Sequence, residues 1–470
     1  MFYLRKILLS LNVIAIGGCT DLKLFNANDS RVSYESLGGQ KIDGFICPKS
    51  VRDVIVKLEN LNSIPIQGEP DMTIMGLKKF IDCNNIRTIT ELLNFFPEHY
   101  RNNFSLVETT KGEGQSSLEY PRIVLFGPDG RFLVNISTKS DDPKYNLLDC
   151  AELNNKNGLW EFSQFDFTES NPILYRNEIS CFKCHGDKPR PIWGNNLDWP
   201  GVFGDNEAAG PNGEALSYRH ALRMNKIKIG NGGSDRFDFL QWDQDTLNSG
   251  GIRRIVNNVF GAELLVSNMQ IGTATARGVF LRMLKEHPEV YVELREVFLI
   301  LGYEHMFKNI LSNEEKSYIY SHYNLNSLSP IRQLFFKIGI DIDEAFSLST
   351  LAKSETPKPN WSLGAGTLYD LVLLQILDDL ANTDNKIEEI LSAEANVPGI
   401  FKCPDLGVNI LEVVEFKMLH LFHLRGKSRY DVNKVYYPQD VENIKEKVFA
   451  PAYNKLMPYL KSKVLKDVNS

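Results

Sequence analysis

Residues 120–138 read YPRIVLFGPDGRFLVNIST. Two apolar, branched runs flank Gly127-Pro128-Asp129-Gly130, the pattern of two antiparallel strands joined by a turn. A second pair follows at once. LLDCAEL (147–153) and LWEFSQFDF (159–167) flank Asn154-Asn155-Lys156-Asn157-Gly158. Residues 121–167 are therefore expected to form a small antiparallel sheet, with two separate hairpins as the alternative.

Outward from this segment the period changes from two to that of a helix. Upstream, DMTIMGLKKFIDC (71–83) and TITELLNFFPEHY (88–100) carry helical spacing. Downstream the same spacing recurs in GEALSYRHALRMNKI (213–227), SDRFDFLQWDQDTLN (234–248), TARGVFLRMLKEHPEV (275–290) and TLYDLVLLQILDDLAN (367–382). Ser312-Asn313-Glu314-Glu315 reads as a capping box opening a further helix. LEVVEFKMLHLFHL (411–424) and DVENIKEKVFAPAYNKLMPYLKSKV (440–464) close the helical series. The expected fold class is α+β, predominantly helical, with a small antiparallel sheet ahead of a cysteine motif.

The first twenty residues, MFYLRKILLSLNVIAIGGCT, combine Arg5 and Lys6 with an apolar run from Ile7 to Ile16 and then Gly17-Gly18-Cys19. That order fits a secretory leader, and the run is too short to cross a bilayer, which takes about twenty residues. The stretch resembles the lipobox of bacterial lipoproteins. The resemblance implies cleavage before Cys19, lipidation of its sulfur and attachment to a lipid bilayer. Thr20 after the cysteine leans toward the outer membrane. DLKLFNANDSRVSYESLGGQ (21–40) reads as a polar tether.

The chain carries 470 residues and a net charge of −7, and loss of Arg5 and Lys6 with the leader makes the body more acidic. An acidic body disfavours nucleic acid as a partner. The seven cysteines are Cys19, Cys47, Cys83, Cys150, Cys181, Cys184 and Cys403. Setting aside Cys19, Cys181 and Cys184 leaves Cys47, Cys83, Cys150 and Cys403, which either pair as disulfides or stay as buried thiols. The divisions expected are a leader at 1–18, anchor and tether at 19–45, helices at 46–120, a β region at 121–170, a cofactor region at 171–290 and helices at 291–470.

Residues 180–193 read SCFKCHGDKPRPIW. Cys181-x-x-Cys184-His185 is the attachment signature of c-type haem. Two thiols three positions apart on a helical turn match the two vinyl groups at one porphyrin edge. The next residue, His185, is then placed as the proximal iron ligand. A zinc site would need two further nearby ligands, and the next histidine is His220. A Cys181–Cys184 disulfide is the stronger alternative.

The wider context, NPILYRNEISCFKCHGDKPRPIW followed by WPGVFG, resembles a group of large exported monohaem bacterial proteins. The resemblance covers about thirty residues. It implies haem-binding roles for Cys181, Cys184 and His185. Arg190 and Trp193 follow closely, and a guanidinium or an indole N–H can bind a haem propionate. The candidates for the sixth ligand are Met224, His220 four residues earlier on the same helix, Met269, Met283, or an open position. His420 and His423 lie three apart on an apolar helix and read as core. No H-E-x-x-H, G-x-S-x-G or P-loop pattern is present.

These observations predict a membrane-anchored monohaem cytochrome c that passes electrons to a redox protein partner. The alternatives are a haem enzyme or sensor with an open iron position, and a surface binding lipoprotein with a structural haem or a Cys181–Cys184 disulfide. A single-haem carrier domain needs only about a hundred residues, so the other helices point to partner docking or to cover over the cofactor.

Overall fold

The computed structural model describes residues 40–42, 45–47, 68–101, 104–109, 114–127, 130–191, 203, 218–242, 261–341, 368–395 and 450–465. A short antiparallel hairpin, β1 (Gln40–Ile42) with β2 (Phe45–Cys47), comes first. Thr73 and Thr88 then open α1 (Ile74–Asn84) and α2 (Ile89–Leu93). Each threonine hydroxyl accepts a backbone N–H of the first turn, at Gly76 and Glu91. Asn85, left-handed at φ 57°, stops α1. The short helix α3 (Glu98–Arg101) leads into the sheet.

The sheet has six antiparallel strands in sequence order: β3 (Phe104–Val107), β4 (Arg122–Leu125), β5 (Phe132–Ile136), β6 (Leu147–Leu153), β7 (Trp160–Asp166) and β8 (Ile173–Arg176). Both expected hairpins are present. They are joined, because β5 pairs with β6 with Val134 opposite Cys150. The two-hairpin alternative is therefore excluded. The sheet also extends past the expected 121–170 limits at both ends. FSLV in β3 is buried throughout and lacks alternation, so its strand character was hidden. ILYR in β8 is a largely exposed edge strand behind Pro172, a position where proline is tolerated.

Strand alternation divides the core in two. Phe132, Val134, Leu148, Cys150 and Phe165 point to one face and pack with α1 and α2 through Leu77, Ile81 and Leu92. Leu133, Ala151, Leu153, Trp160 and Phe162 point to the other face and pack with the helices of the second half. The Glu152 carboxylate accepts the backbone N–H of Ile74 at 2.8 Å, tying the start of α1 to the sheet. Beside the sheet, Arg122 and Asp142 form a buried ion pair at 3.0 Å, and the Ser137 hydroxyl donates to the same carboxylate at 2.6 Å.

The clamp helix α4 (Ile179–His185) follows β8 directly. After it come α5 (Tyr218–Lys228), α6 (Gly261–Glu286), α7 (Pro288–Phe307), α8 (Asn313–His322), α9 (Pro330–Lys337), α10 (Leu368–Thr383), α11 (Asn385–Ala395) and α12 (Ala450–Val464). The capping box forms as expected: Ser312 and Glu315 each bind the other's backbone N–H. TARGVFLRMLKEHPEV is split between α6 and α7, because Pro288 begins a new helix. In SDRFDFLQWDQDTLN the described residues, 234–242, form a 3-10 turn at Asp235–Phe237 and are otherwise not helical. Here Arg236 overrides the local spacing. It stacks 3.5 Å from the centre of the Tyr145 ring and donates to the Ser137 carbonyl at 2.7 Å, pinning the segment to the sheet.

Gly158 closes the β6–β7 turn with φ +68°, and a Cβ there would lie 2.1 Å from the carbonyl oxygen of Gly278 on α6. Two glycines therefore let the turn and the helix touch backbone to backbone. The expected segments at 411–424, the anchor and leader, His420 and His423 lie outside the described residues.

Candidate cofactor-attachment site

Cys181, Cys184 and His185 fall on one short helix, α4, which ends at Gly186 with φ +83°. Glycine takes that conformation without strain, so the chain can leave the helix directly behind the histidine. The next four residues turn back. The Arg190 carbonyl oxygen then lies 2.8 Å from His185 Nδ1. A carbonyl can only accept, so Nδ1 carries the hydrogen and Nε2 is left with its lone pair. The ring packs on Phe162 of β7, with centroids 4.1 Å apart and planes tilted by 35°. Burial lowers the His185 pKa to about 4, so the ring is neutral near pH 7.

Cys181 is a free thiol that packs against the core on the Phe162 face of the sheet. Burial, reinforced by the charge of Asp149, pushes it up to about 11. Cys181 forms no disulfide in this structure. The Cys184 side chain lies outside the described atoms. Cys83 is disulfide-bonded, to a partner outside the described side chains, whereas Cys150 is a buried free thiol on β6. The four remaining cysteines thus do not form two pairs. Cys150 points into a packed apolar face, where it behaves as a small hydrophobe.

Arg190 belongs to this site through its backbone. Arg190 also lines a small cleft with Lys188, Trp160 and Arg282, and its guanidinium donates to the Pro191 carbonyl at 3.2 Å. Trp193 lies outside the described residues. The helix α5 carries Met224 and His220 elsewhere. Met224 packs with the cluster on the α1 side of the sheet, opposite the face that holds Phe162 and Cys181. His220 is buried, stacks on Phe203 at 4.2 Å, and meets Glu108 through Nε2 at 2.5 Å. The sheet thus stands between these two residues and His185. Met283 is fully buried in the core on the Phe162 face. The side chain of Met269 lies outside the described atoms.

Sequence reasoning missed Trp160 and Arg282 at the cleft. They lie on β7 and α6, more than 120 residues apart in the chain. Neither carries a motif, and their elements meet through core packing and the close contact of Gly158 with Gly278.

The residues present fit a covalently held porphyrin in one respect that can be tested on the chain itself. A ligating imidazole needs its lone pair on one nitrogen and a fixed N–H on the other, and the Nδ1–H of His185 is fixed by the Arg190 carbonyl. No group of three or more His, Cys, Asp or Glu side chains able to hold a metal ion occurs among the described residues. No family model matches the chain, and neither a curated protein nor a solved structure matches it.

Proposed function

We propose that this chain is a membrane-tethered monohaem c-type cytochrome that transfers electrons. Haem c would be held by thioether bonds to Cys181 and Cys184, with His185 Nε2 as the proximal ligand. The observation that carries this reading is the bond from His185 Nδ1–H to the Arg190 carbonyl, because it sets the tautomer that a metal ligand needs. When bound, the haem iron supplies reversible one-electron chemistry. The chain's own part is to orient the imidazole, through Arg190 and Phe162, and to keep its nitrogen unprotonated by burial.

Attachment to a bilayer through lipidated Cys19 completes the proposal. A multiply acylated cysteine is a stable anchor where one chain alone is marginal. No described helix is long and apolar enough to cross a membrane. The redox partner is a protein.

One observation favours a second reading, a haem enzyme or sensor with an open sixth position. Met224 and His220, the nearest candidates in sequence, sit across the sheet from His185. The two readings separate by spectroscopy. A low-spin iron indifferent to CO and cyanide supports the carrier, and a high-spin iron that binds them supports the enzyme or sensor.

The primary test is a haem stain on a denaturing gel, after expression with a cytochrome c maturation system. Stain in the wild type that vanishes in Cys181→Ala/Cys184→Ala is the expected result. A folded, exported protein without stain would overturn the proposal.

A further inference from the structure

The sheet face that carries the clamp is not apolar throughout. Gln164 follows Phe162, the residue under the His185 ring, by two positions on β7 and so shares its face. The cross-strand neighbours of Gln164 are Asp149 of β6 and Tyr175 of β8, and Asn135 of β5 stands opposite Asp149. Four polar side chains from four strands thus form one row, Asn135–Asp149–Gln164–Tyr175. It runs beside the apolar row of Leu133, Ala151 and Phe162, part of the core against which Cys181 packs. Directly opposed residues hold their Cβ atoms about 4.5–5.5 Å apart, close enough for such side chains to interact.

Hydrogen bonding along the row is incomplete for an ionised Asp149. The Gln164 amide N–H donates to Asp149 Oδ1 at 2.7 Å. The side-chain oxygen of Asn135 is buried and meets no donor among the described residues. A carboxylate only accepts, so it has nothing to offer that oxygen, whereas a carboxylic acid has one O–H to give. Burial raises the Asp149 carboxyl above the usual carboxylate range. The Gln164 bond and the charges of Arg122 and Lys144 oppose that rise, and the charge of Asp142 adds to it. The Cys181 thiol, shifted mainly by burial, also feels the Asp149 charge, so the carboxyl lies within electrostatic reach of the attachment point. At the other end of the row Tyr175 is 41% exposed on the edge strand, which brings the row to solvent.

We propose that Asp149 is the proton-exchanging group of this redox site, taking up a proton when the haem iron is reduced and releasing it when the iron is oxidised. The inference rests on the proposed function. One electron passes from the redox partner protein to ferric iron. One proton passes from solvent to the Asp149 carboxylate, whose new O–H donates to the Asn135 side-chain oxygen. Oxidation reverses both transfers. An added electron makes the iron site more negative, which disfavours a carboxylate within reach of it. Linkage makes the effect mutual, so an ionised Asp149 favours ferric iron and lowers the potential.

The test is the reduction potential of the haem-loaded mature chain, followed from about pH 5 to about pH 9. In wild type it should fall as pH rises, by at most about 59 mV for each tenfold loss of proton activity in a one-electron couple. Asp149→Asn should abolish that slope. Gln164→Leu removes a donor to the ionised form and should move the sloping window to higher pH. Asn135→Leu removes the acceptor of the acid form and should move it to lower pH. A merely structural role for the row gives no such opposed shifts. The haem-free Cys181→Ala/Cys184→Ala chain supplies a second readout. Its infrared spectrum should hold a carboxylic acid band that persists to higher pH than ordinary aspartates allow and that disappears with Asp149→Asn.

A stained protein whose potential has no slope, or keeps its slope in Asp149→Asn, overturns the inference and leaves the cytochrome reading standing. A folded, exported protein without stain overturns both. Should Asp149→Asn fail to fold, the two neighbours decide, and shifts in the same direction, or none, overturn the inference.

Discussion

His185 Nδ1 lies 2.8 Å from the carbonyl oxygen of Arg190, and this one contact links the clamp helix to the loop that follows it. It determines which ring nitrogen holds the hydrogen.

The lowered His185 pKa makes a prediction for the haem-free Cys181→Ala/Cys184→Ala protein. Its folded value is about 4, below the ordinary 6.5 of the unfolded chain. Between these values the unfolded state binds more protons, so stability rises with pH across that window. The contribution is complete above about pH 6.5 and is lost as pH falls toward 4. Its ceiling is about 3 kcal/mol. Urea titrations at pH 4.5 and 7.5 should differ less in a background carrying His185→Gln. An equal pH dependence in both would contradict the buried neutral ring.

Gly158→Ala should destabilise the fold by about 3 kcal/mol, through a left-handed φ and a clash with the Gly278 carbonyl. Chemical denaturation measures the effect. A neutral substitution would show that the β6–β7 turn does not press on α6.

Met224→Leu should leave the absorption spectrum and spin state of the haem-loaded protein unchanged, because Met224 packs on the opposite side of the sheet from Cys181. The swap conserves volume and should cost less than about 1.5 kcal/mol of stability. Loss of a low-spin spectrum would identify Met224 as the sixth ligand and refute the separation by the sheet.

Asp142→Ala should cost about 3–5 kcal/mol, because it leaves Arg122 charged and buried without its partner. The Ser137 hydroxyl loses its acceptor as well. Arg122→Met with Asp142→Leu should recover much of the loss, since apolar replacement of both members removes the uncompensated charge. Equilibrium unfolding of the two variants checks both statements.

Much of the architecture was legible because its signals are local. The turn residues 127–130 and 154–158 and the alternation around them mark four central strands, and Ser312 with Glu315 marks a helix start. The edge strands were not legible. β3 is buried throughout its four residues, Ser105 included, so burial shows no alternation there, and β8 is a short strand exposed along most of its length. The helical spacing of 234–248 misled at its start, because Arg236 gains more from Tyr145 and two backbone carbonyls than from continuing a helix.

The candidate site divides in the same way. Attachment chemistry depends on neighbours along the chain, so Cys181, Cys184 and His185 could be named from their spacing on one helical turn. The hydrogen on His185 Nδ1, the face on which the clamp lies, the separation of Met224 and the meeting of Trp160 with Arg282 depend on atoms brought together from distant segments. Local order follows from backbone geometry and spacing, which the sequence states directly. Which distant groups meet follows from how two faces of one sheet are covered, and only the packed structure decides that.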